Sequence, residues 1–261
     1  MDISCIVLMF LIGFIGSFLS GMLGIGGAII HYPMMLYIPP LLGIASFSAH
    51  EVTGMVAVQV FFTTMTGMLV YRKGGYLHKS LALYMGIGIL GGSFIGAYGS
   101  KWMSEAMIHL IYAFLAAAAV WLMFLSEKES DETPVSQVTF HPMPVMGTAF
   151  MAGIFSGVIG ASGSFILVPV MLAVFKIPTR VTIATSLAIA FISSIGSVSA
   201  KFASDQIFLL PSIILVISSL IASPIGAMIS KKTSPQTLRI GLSIVITITF
   251  IKIWYDYLAL Y

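Results

Sequence analysis

Two stretches of this chain combine backbone freedom with hydroxyl groups in a way that could hold a small oxyanion. The first runs Ser20-Gly21-Met22-Leu23-Gly24-Ile25-Gly26-Gly27 and on through Ala28 and His31 to Pro33. The second runs Ser156-Gly157-Val158-Ile159-Gly160-Ala161-Ser162-Gly163 and on through Ser164 to Pro169. Gly24, Gly26 and Gly27, like Gly160 and Gly163, allow one helix to stop and another to start within a few residues. A helix that starts among apolar surroundings points unpaired N–H groups and the positive end of its dipole inward, and that end attracts anions. Ser162 and Ser164 add hydroxyl donors at the second break, and Thr185-Ser186 lies a little further along, opposite Thr53-Gly54 of the first half. His31 follows Gly27 by one helical turn and faces either the anion or the interior; its counterpart is Leu167. The substrate-binding set expected from the sequence is Gly24, Gly26, Gly27, Ala28, His31, Thr53, Gly160, Ser162, Gly163, Ser164, Thr185 and Ser186. The second copy carries more hydroxyls and is expected to make more of the side-chain contacts.

The elements that position these residues must be membrane helices. Of 261 residues, 59% are hydrophobic and 8% charged, with a mean hydropathy of +1.07, a balance that no water-soluble surface could cover. Segments such as 110–125 are apolar on every face, which fits a helix and excludes the alternation of a lipid-facing barrel strand. The segment from Ile3 follows Asp2 with no basic region, so it reads as a retained span and not as a cleaved leader. One cysteine, Cys5, excludes an internal disulfide and a cysteine metal cluster. No metal site, cofactor or nucleic-acid patch is expected.

The glycine breaks belong to a longer duplication. Ser93-Phe94-Ile95-Gly96-Ala97 with Ser100-Lys101 matches Ser223-Pro224-Ile225-Gly226-Ala227 with Ser230-Lys231. The chain divides into a first transmembrane repeat (1–126), a polar linker (127–142) and a second repeat (143–261). Apolar segments are expected at 3–23, 28–41, 46–70, 80–100 and 105–125, then at 144–160, 164–177, 181–201, 207–229 and 236–258. The fold class is an all-α polytopic membrane protein of two homologous repeats, each a glycine-broken helix pair plus three further helices, making eight full spans with two short ones, or ten. Crossing by the short segments would invert the repeats and gather Arg72, Lys73, Lys79, Lys128, Lys176, Arg180, Lys231, Lys232 and Arg239 on one side. Only Lys101, Lys201 and Lys252 would remain on the other. That bias favours inverted repeats with both termini outside the cytoplasm.

Glu51 is the one carboxylate that could lie well inside a span, and with His50 it could couple protons to transport. Ser48-Ala49-His50-Glu51 also fits a Ser-x-x-Glu capping box at a helix start. Gln59 lines a cavity or bonds a neighbouring helix. Gly92 and Gly96 have the spacing of close helix packing. Gly160-Ala161-Ser162-Gly163 has the form of an intramembrane protease nucleophile, but no histidine follows His141 to serve as its base.

Together these residues resemble the sulfite exporter TauE/SafE family, also called the toluene sulfonate uptake permease family. The duplicated motif at Gly21 to Pro33 and Gly157 to Pro169 carries the resemblance, with Thr185-Ser186-Leu187 in a following helix. Ala28 and Ser164 replace the third glycine of each triplet, and Ser162 replaces the second glycine in the later copy. The resemblance implies a secondary transporter of the bacterial inner membrane that moves sulfite, an organosulfonate or a similar sulfur-containing anion. A passive anion channel is the alternative.

Overall fold

A computed structural model describes residues 2–260 except 73, 126–134, 136, 137, 139 and 162; residues 253 and 256–260 are described by backbone alone. Most of the polar linker, together with Lys73, Lys128 and Ser162, therefore lies outside the described residues. The first half holds α1 (Ile3–Leu23), α2 (Ala28–Leu41), α3 (Ala49–Arg72), α4 (Lys79–Gly99) and α5 (Glu105–Leu125). The second holds α6 (Pro142–Val158), α7 (Ser164–Ala173), α8 (Thr179–Ala203), α9 (Leu209–Lys232) and α10 (Pro235–Leu260). Among the described residues, six helices are long and apolar enough to cross a membrane. Large apolar side chains such as Ile87, Phe94, Ile217 and Ile251 stand on the outside, where lipid tails replace water as their surroundings. The protein is a polytopic, all-helical membrane protein.

Helix starts follow local chemistry. At α3, Ser48 N–H donates to Glu51 Oε2 at 2.7 Å and Glu51 N–H donates to Ser48 Oγ at 3.3 Å, closing the capping box. The Glu51 carboxylate is thereby engaged at the helix start. His78 caps α4, its Nδ1 accepting from Leu81 N–H at 3.1 Å.

Side-chain pairs fix the direction of each helix. Gln59 Nε2 donates to Gly13 O at 3.3 Å and Ser17 Oγ lies 3.0 Å from Thr63 Oγ1, so α1 and α3 run the same way. The intervening 14-residue α2 is consequently a return pass of about 21 Å, shorter than a full span. α3 and α8 run antiparallel: Thr53 meets Lys201, Phe61 meets Phe191 and Gly67 meets Leu187. The first helix of each half packs on the fourth helix of the other, α1 on α9 and α6 on α4, and each pair is parallel.

These two seams are built on glycine because the backbones nearly touch. A Cβ on Gly92 would stand 2.1 Å from Phe150 O, and one on Gly96 1.9 Å from Ile154 O. Gly226 faces Phe18 O in the same way on the α1/α9 seam, at 2.1 Å. Gly96→Ala must push α6 away from α4, an overpacking cost of about 1–3 kcal/mol. A lower thermal unfolding temperature of the purified variant in detergent is the expected result; an unchanged one would mean the seam relaxes freely.

Candidate functional site

The first break assembles a polar cluster at mid-depth. α1 ends where Gly24 takes φ +74° and its N–H donates to Ser20 O at 2.8 Å. Gly26 and Gly27, at φ +70° and +80°, turn the chain back, a conformation that side chains with a Cβ resist. α2 then starts at Ala28, with the N–H groups of Ile30 and His31 both donating to Gly27 O at 2.9 Å. The N–H groups of Ala28 and Ile29 precede the first of these bonds and form the open, positive end of the helix.

His31 lies against this helix start. A Cβ on Gly27 would stand 2.8 Å from its Nδ1, and one on Gly16 2.3 Å from its Nε2, so both glycines make room for the ring. Gln59 Nε2 lies 2.6 Å from His31 Nε2 and donates to Gly13 O and Ser17 Oγ at 3.3 Å. A carbonyl oxygen only accepts, so the amide nitrogen must face Gly13 O. His31 Nε2 also lies 3.4 Å from Gly13 O; its contact with the amide nitrogen is the closer one, and in the tautomer in which Nε2 accepts there the neutral ring carries its proton on Nδ1. Among the described residues, that Nδ1, Ser20 Oγ and Gln59 Oε1 meet no hydrogen-bond partner at good geometry, although all three residues are 0% exposed. Unpaired buried polar atoms cost about 1–3 kcal/mol each, so three in one cluster are a feature for the function to explain. Ser17 Oγ continues the cluster to Thr63 Oγ1 at 3.0 Å and Ser219 Oγ at 2.8 Å. Gly13 is midway along α1 and Gln59 midway along α3, which sets the depth.

The second break is built differently. Gly160 takes φ +72° and Gly163 φ +67°, and α7 begins at the buried Ser164. The positions that correspond to His31, Gln59 and Ser219 are Leu167, Phe191 and Ile89, all apolar. Among the described residues the buried side-chain cluster thus lies at the first copy; Ser162 of the second copy is outside them. Hydroxyls expected to serve it are engaged elsewhere. Ser186 Oγ donates to Gly24 O at 2.8 Å, Thr185 Oγ1 accepts from His78 N–H at 3.1 Å, and Thr53 Oγ1 donates to His50 O at 2.8 Å.

The two breaks also stand apart, although the expected binding set draws on both. Each seats on the third helix of the opposite half: Gly24 against Ile183 and Ser186, Gly160 against Thr53 O and Ala57. Since α3 and α8 are antiparallel, these seats lie at opposite ends of the pair, about 20 Å apart at 1.5 Å per residue. α1 runs 21 residues before it breaks. Gly24, Gly26, Gly27, Ala28 and His31 form one group; Thr53, Gly160, Gly163 and Ser164 belong to the other end of the α3/α8 pair.

Lys201 is the residue that sequence reasoning placed outside. It sits in the last turn of α8, is 0% exposed, and among the described residues bonds only neutral oxygens. Its Nζ donates to Ser100 Oγ and Gln206 Oε1 at 2.7 Å, to Thr53 Oγ1 at 2.9 Å and to Val158 O at 3.4 Å. Val158 ends α6, so the ammonium also meets the negative end of that helix. Its position one turn inside an apolar run was the available signal. His50 Nε2 lies 3.1 Å from Met103 O and does not join either group.

A buried polar cluster beside a broken helix, within a bundle of interleaved halves, is the architecture of a membrane transporter. The chain belongs to the sulfite exporter TauE/SafE family, whose profile matches residues 9–253. The probable membrane transporter protein YunE of Bacillus subtilis is 25% identical over 96% of this chain and 97% of its own. A probable membrane transporter protein of Methanocaldococcus jannaschii is 24% identical over 90% of each chain. A third, from Xylella fastidiosa, is 26% identical over 67% of this chain and 65% of its own. No solved structure matches the chain.

Proposed function

We propose that the protein is a secondary transporter that moves a small sulfur-containing oxyanion by alternating access, with its substrate site at the start of α2. The observation that carries this reading is the group of unpaired, wholly buried polar atoms around Gly27, where two donors, Ser20 Oγ–H and His31 Nδ1–H, flank a helix N-terminus. Sulfite and sulfonates present three oxygens that suit such donors, and the site holds them with neutral groups. The family's own description as sulfite exporters points to the same class.

Alternating access is supported by the reciprocal seating of the breaks. Each half carries its break on the other half's third helix, so rocking one against the other would open one end while closing the opposite end. The antiparallel run of α3 and α8 and the parallel run of α1 and α3 support inverted repeats. With the basic residues gathered on the cytoplasmic side, both termini would lie outside the cytoplasm of a bacterial inner membrane.

A passive anion channel is the second reading, and counterflow separates the two. Proteoliposomes loaded with unlabelled sulfite are diluted into a trace of labelled sulfite. A transporter is expected to accumulate label transiently above its outside concentration; simple equilibration of the label would instead favour a channel.

A further inference from the structure

The sequence offers His50 and Glu51 as a proton-coupling pair, but the fold holds both at the start of α3, away from the cluster at Gly27. Glu51 closes the capping box there, and His50 Nε2 lies 3.1 Å from Met103 O. The ionisable side chain that stands in the cluster is His31, which is 0% exposed. The residues packed around its ring, Gly13, Gly16, Gly27 and Gln59, are all neutral. Titratable side chains on the surrounding helices, among the described residues, are directed elsewhere. On α2, Tyr32 bonds His109 Nδ1 at 3.1 Å, and Lys252 stands over the Tyr37 ring. Tyr112 of α5 donates to Ile29 O. On α1, Asp2 and Cys5 lie about two turns or more before Gly13; on α3, His50, Glu51, Tyr71 and Arg72 lie about two turns or more from Gln59; on α9, Lys231 and Lys232 lie about three turns beyond Ser219.

Each protonation state of the ring has partners in place. In the neutral ring, Nε2 accepts from the Gln59 amide nitrogen at 2.6 Å. In the imidazolium, Nε2–H becomes a donor, with Gly13 O at 3.4 Å on one side and, once the Gln59 amide turns over, Oε1 on the other. Ser17 Oγ now accepts from the amide nitrogen at 3.3 Å and can donate to the oxygen that takes its place. A half-turn of one side chain therefore accommodates the proton.

We propose that His31 is the proton carrier of the transporter, taking up one proton as the anion binds at the start of α2 and releasing it with the anion on the other side. This rests on the reading of that helix start as the substrate site. The proton comes from water on the loading side, forms the Nε2–H bond, and returns to water on release. A positive ring beside the open N–H groups strengthens the hold on the anion. A proton that travels with a monoanion also removes the work of moving net charge across the membrane potential. Leu167 occupies the corresponding position of the second half, so one proton per cycle is expected.

Nitrogen NMR of the full-length protein, carrying isotope-labelled histidine in nanodiscs, reads the ring directly: a neutral imidazole shows two widely separated ring nitrogens and an imidazolium two close ones. His31→Leu, or the smaller change His31→Asn, assigns the His31 pair by its absence. At about pH 8, where an ordinary imidazole is neutral, the ring is expected to be neutral without anion and protonated at saturation with at least one of sulfite, thiosulfate, methanesulfonate and sulfate. By reciprocity, calorimetry should find that anion bound up to about tenfold more tightly one pH unit lower. A ring that stays neutral while calorimetry shows the anion bound, or one already protonated before anion is added, would overturn the proposal and leave the site at Gly27 standing. Failure of all four anions to bind would instead sink the reading of that site, and the proposal with it.

Discussion

Lys201→Met is expected to cost the protein about 3 kcal/mol or more and to abolish transport. The lysine ties the end of α8 to α3, to the turn after α4, to the end of α6 and to the loop that leads into α9, through Thr53, Ser100, Val158 and Gln206. Methionine fills much the same volume but leaves those oxygens without their donor, at about 1–3 kcal/mol for each one left unsatisfied. Thermal unfolding in detergent reads the first part of the expectation. Gln206→Glu reads the electrostatic part: a carboxylate beside the buried ammonium should raise stability, because the present partners are all neutral. A Lys201→Met variant as stable as the wild type would show that the cluster closes over the gap unaided.

Gly27→Ala is expected to remove substrate binding while sparing most of the fold. Alanine at φ +80° carries a strain of about 1–2 kcal/mol, and its Cβ would stand 2.8 Å from His31 Nδ1 and 3.2 Å from Ser20 Cβ. The new methyl group would occupy the space on which the two donors converge, so His31 must swing away from the start of α2. Equilibrium binding of sulfite by the purified variant checks this, with circular dichroism as the control for folding. Wild-type affinity in a folded Gly27→Ala protein would place the anion elsewhere.

Much of the architecture was legible in the sequence because apolar runs are bounded by glycine, proline or charge. The expected segments 3–23, 28–41 and 105–125 coincide with α1, α2 and α5. α3 starts at Ala49 instead of 46 because Ser48 and Glu51 close the capping box there. α6 ends at Val158 and not at 160, since Gly160 takes a left-handed conformation against Thr53 O. The site was half legible. Gly24, Gly26, Gly27 and Ala28 stand out because the backbone demand repeats in both halves, and His31 because it follows Gly27 by one helical turn. Ser20 belongs to the repeat, but nothing in the sequence marks it as a donor. Its role appears only once α2 folds back along α1 and brings Gly27 beside it.

The place of Lys201 and the particular partners of Gln59, which the sequence offers only as a cavity lining or a bond to a neighbouring helix, were hidden for a different reason. Both take their meaning from other helices: Gln59 from Gly13, Ser17 and His31, and Lys201 from oxygens on three other segments. No spacing within one helix encodes such meetings. The separation of the two breaks is of the same kind, because it follows from the antiparallel run of α3 and α8. That run becomes visible only through pairs such as Phe61 with Phe191.

The central claim is that the donors beside Gly27 hold the transported anion. Its most direct test is counterflow of labelled sulfite, with thiosulfate, a sulfonate and sulfate alongside, in proteoliposomes of the wild type and of the double variant Ser20→Ala/His31→Leu. Leucine already occupies the corresponding position 167, and both side chains lie in a space the fold has already enclosed, so the variant should insert and fold. The expected result is transient accumulation of at least one sulfur oxyanion by the wild type and its loss, by about a hundredfold in initial rate, in the variant. Wild-type counterflow by a folded Ser20→Ala/His31→Leu protein would contradict the account.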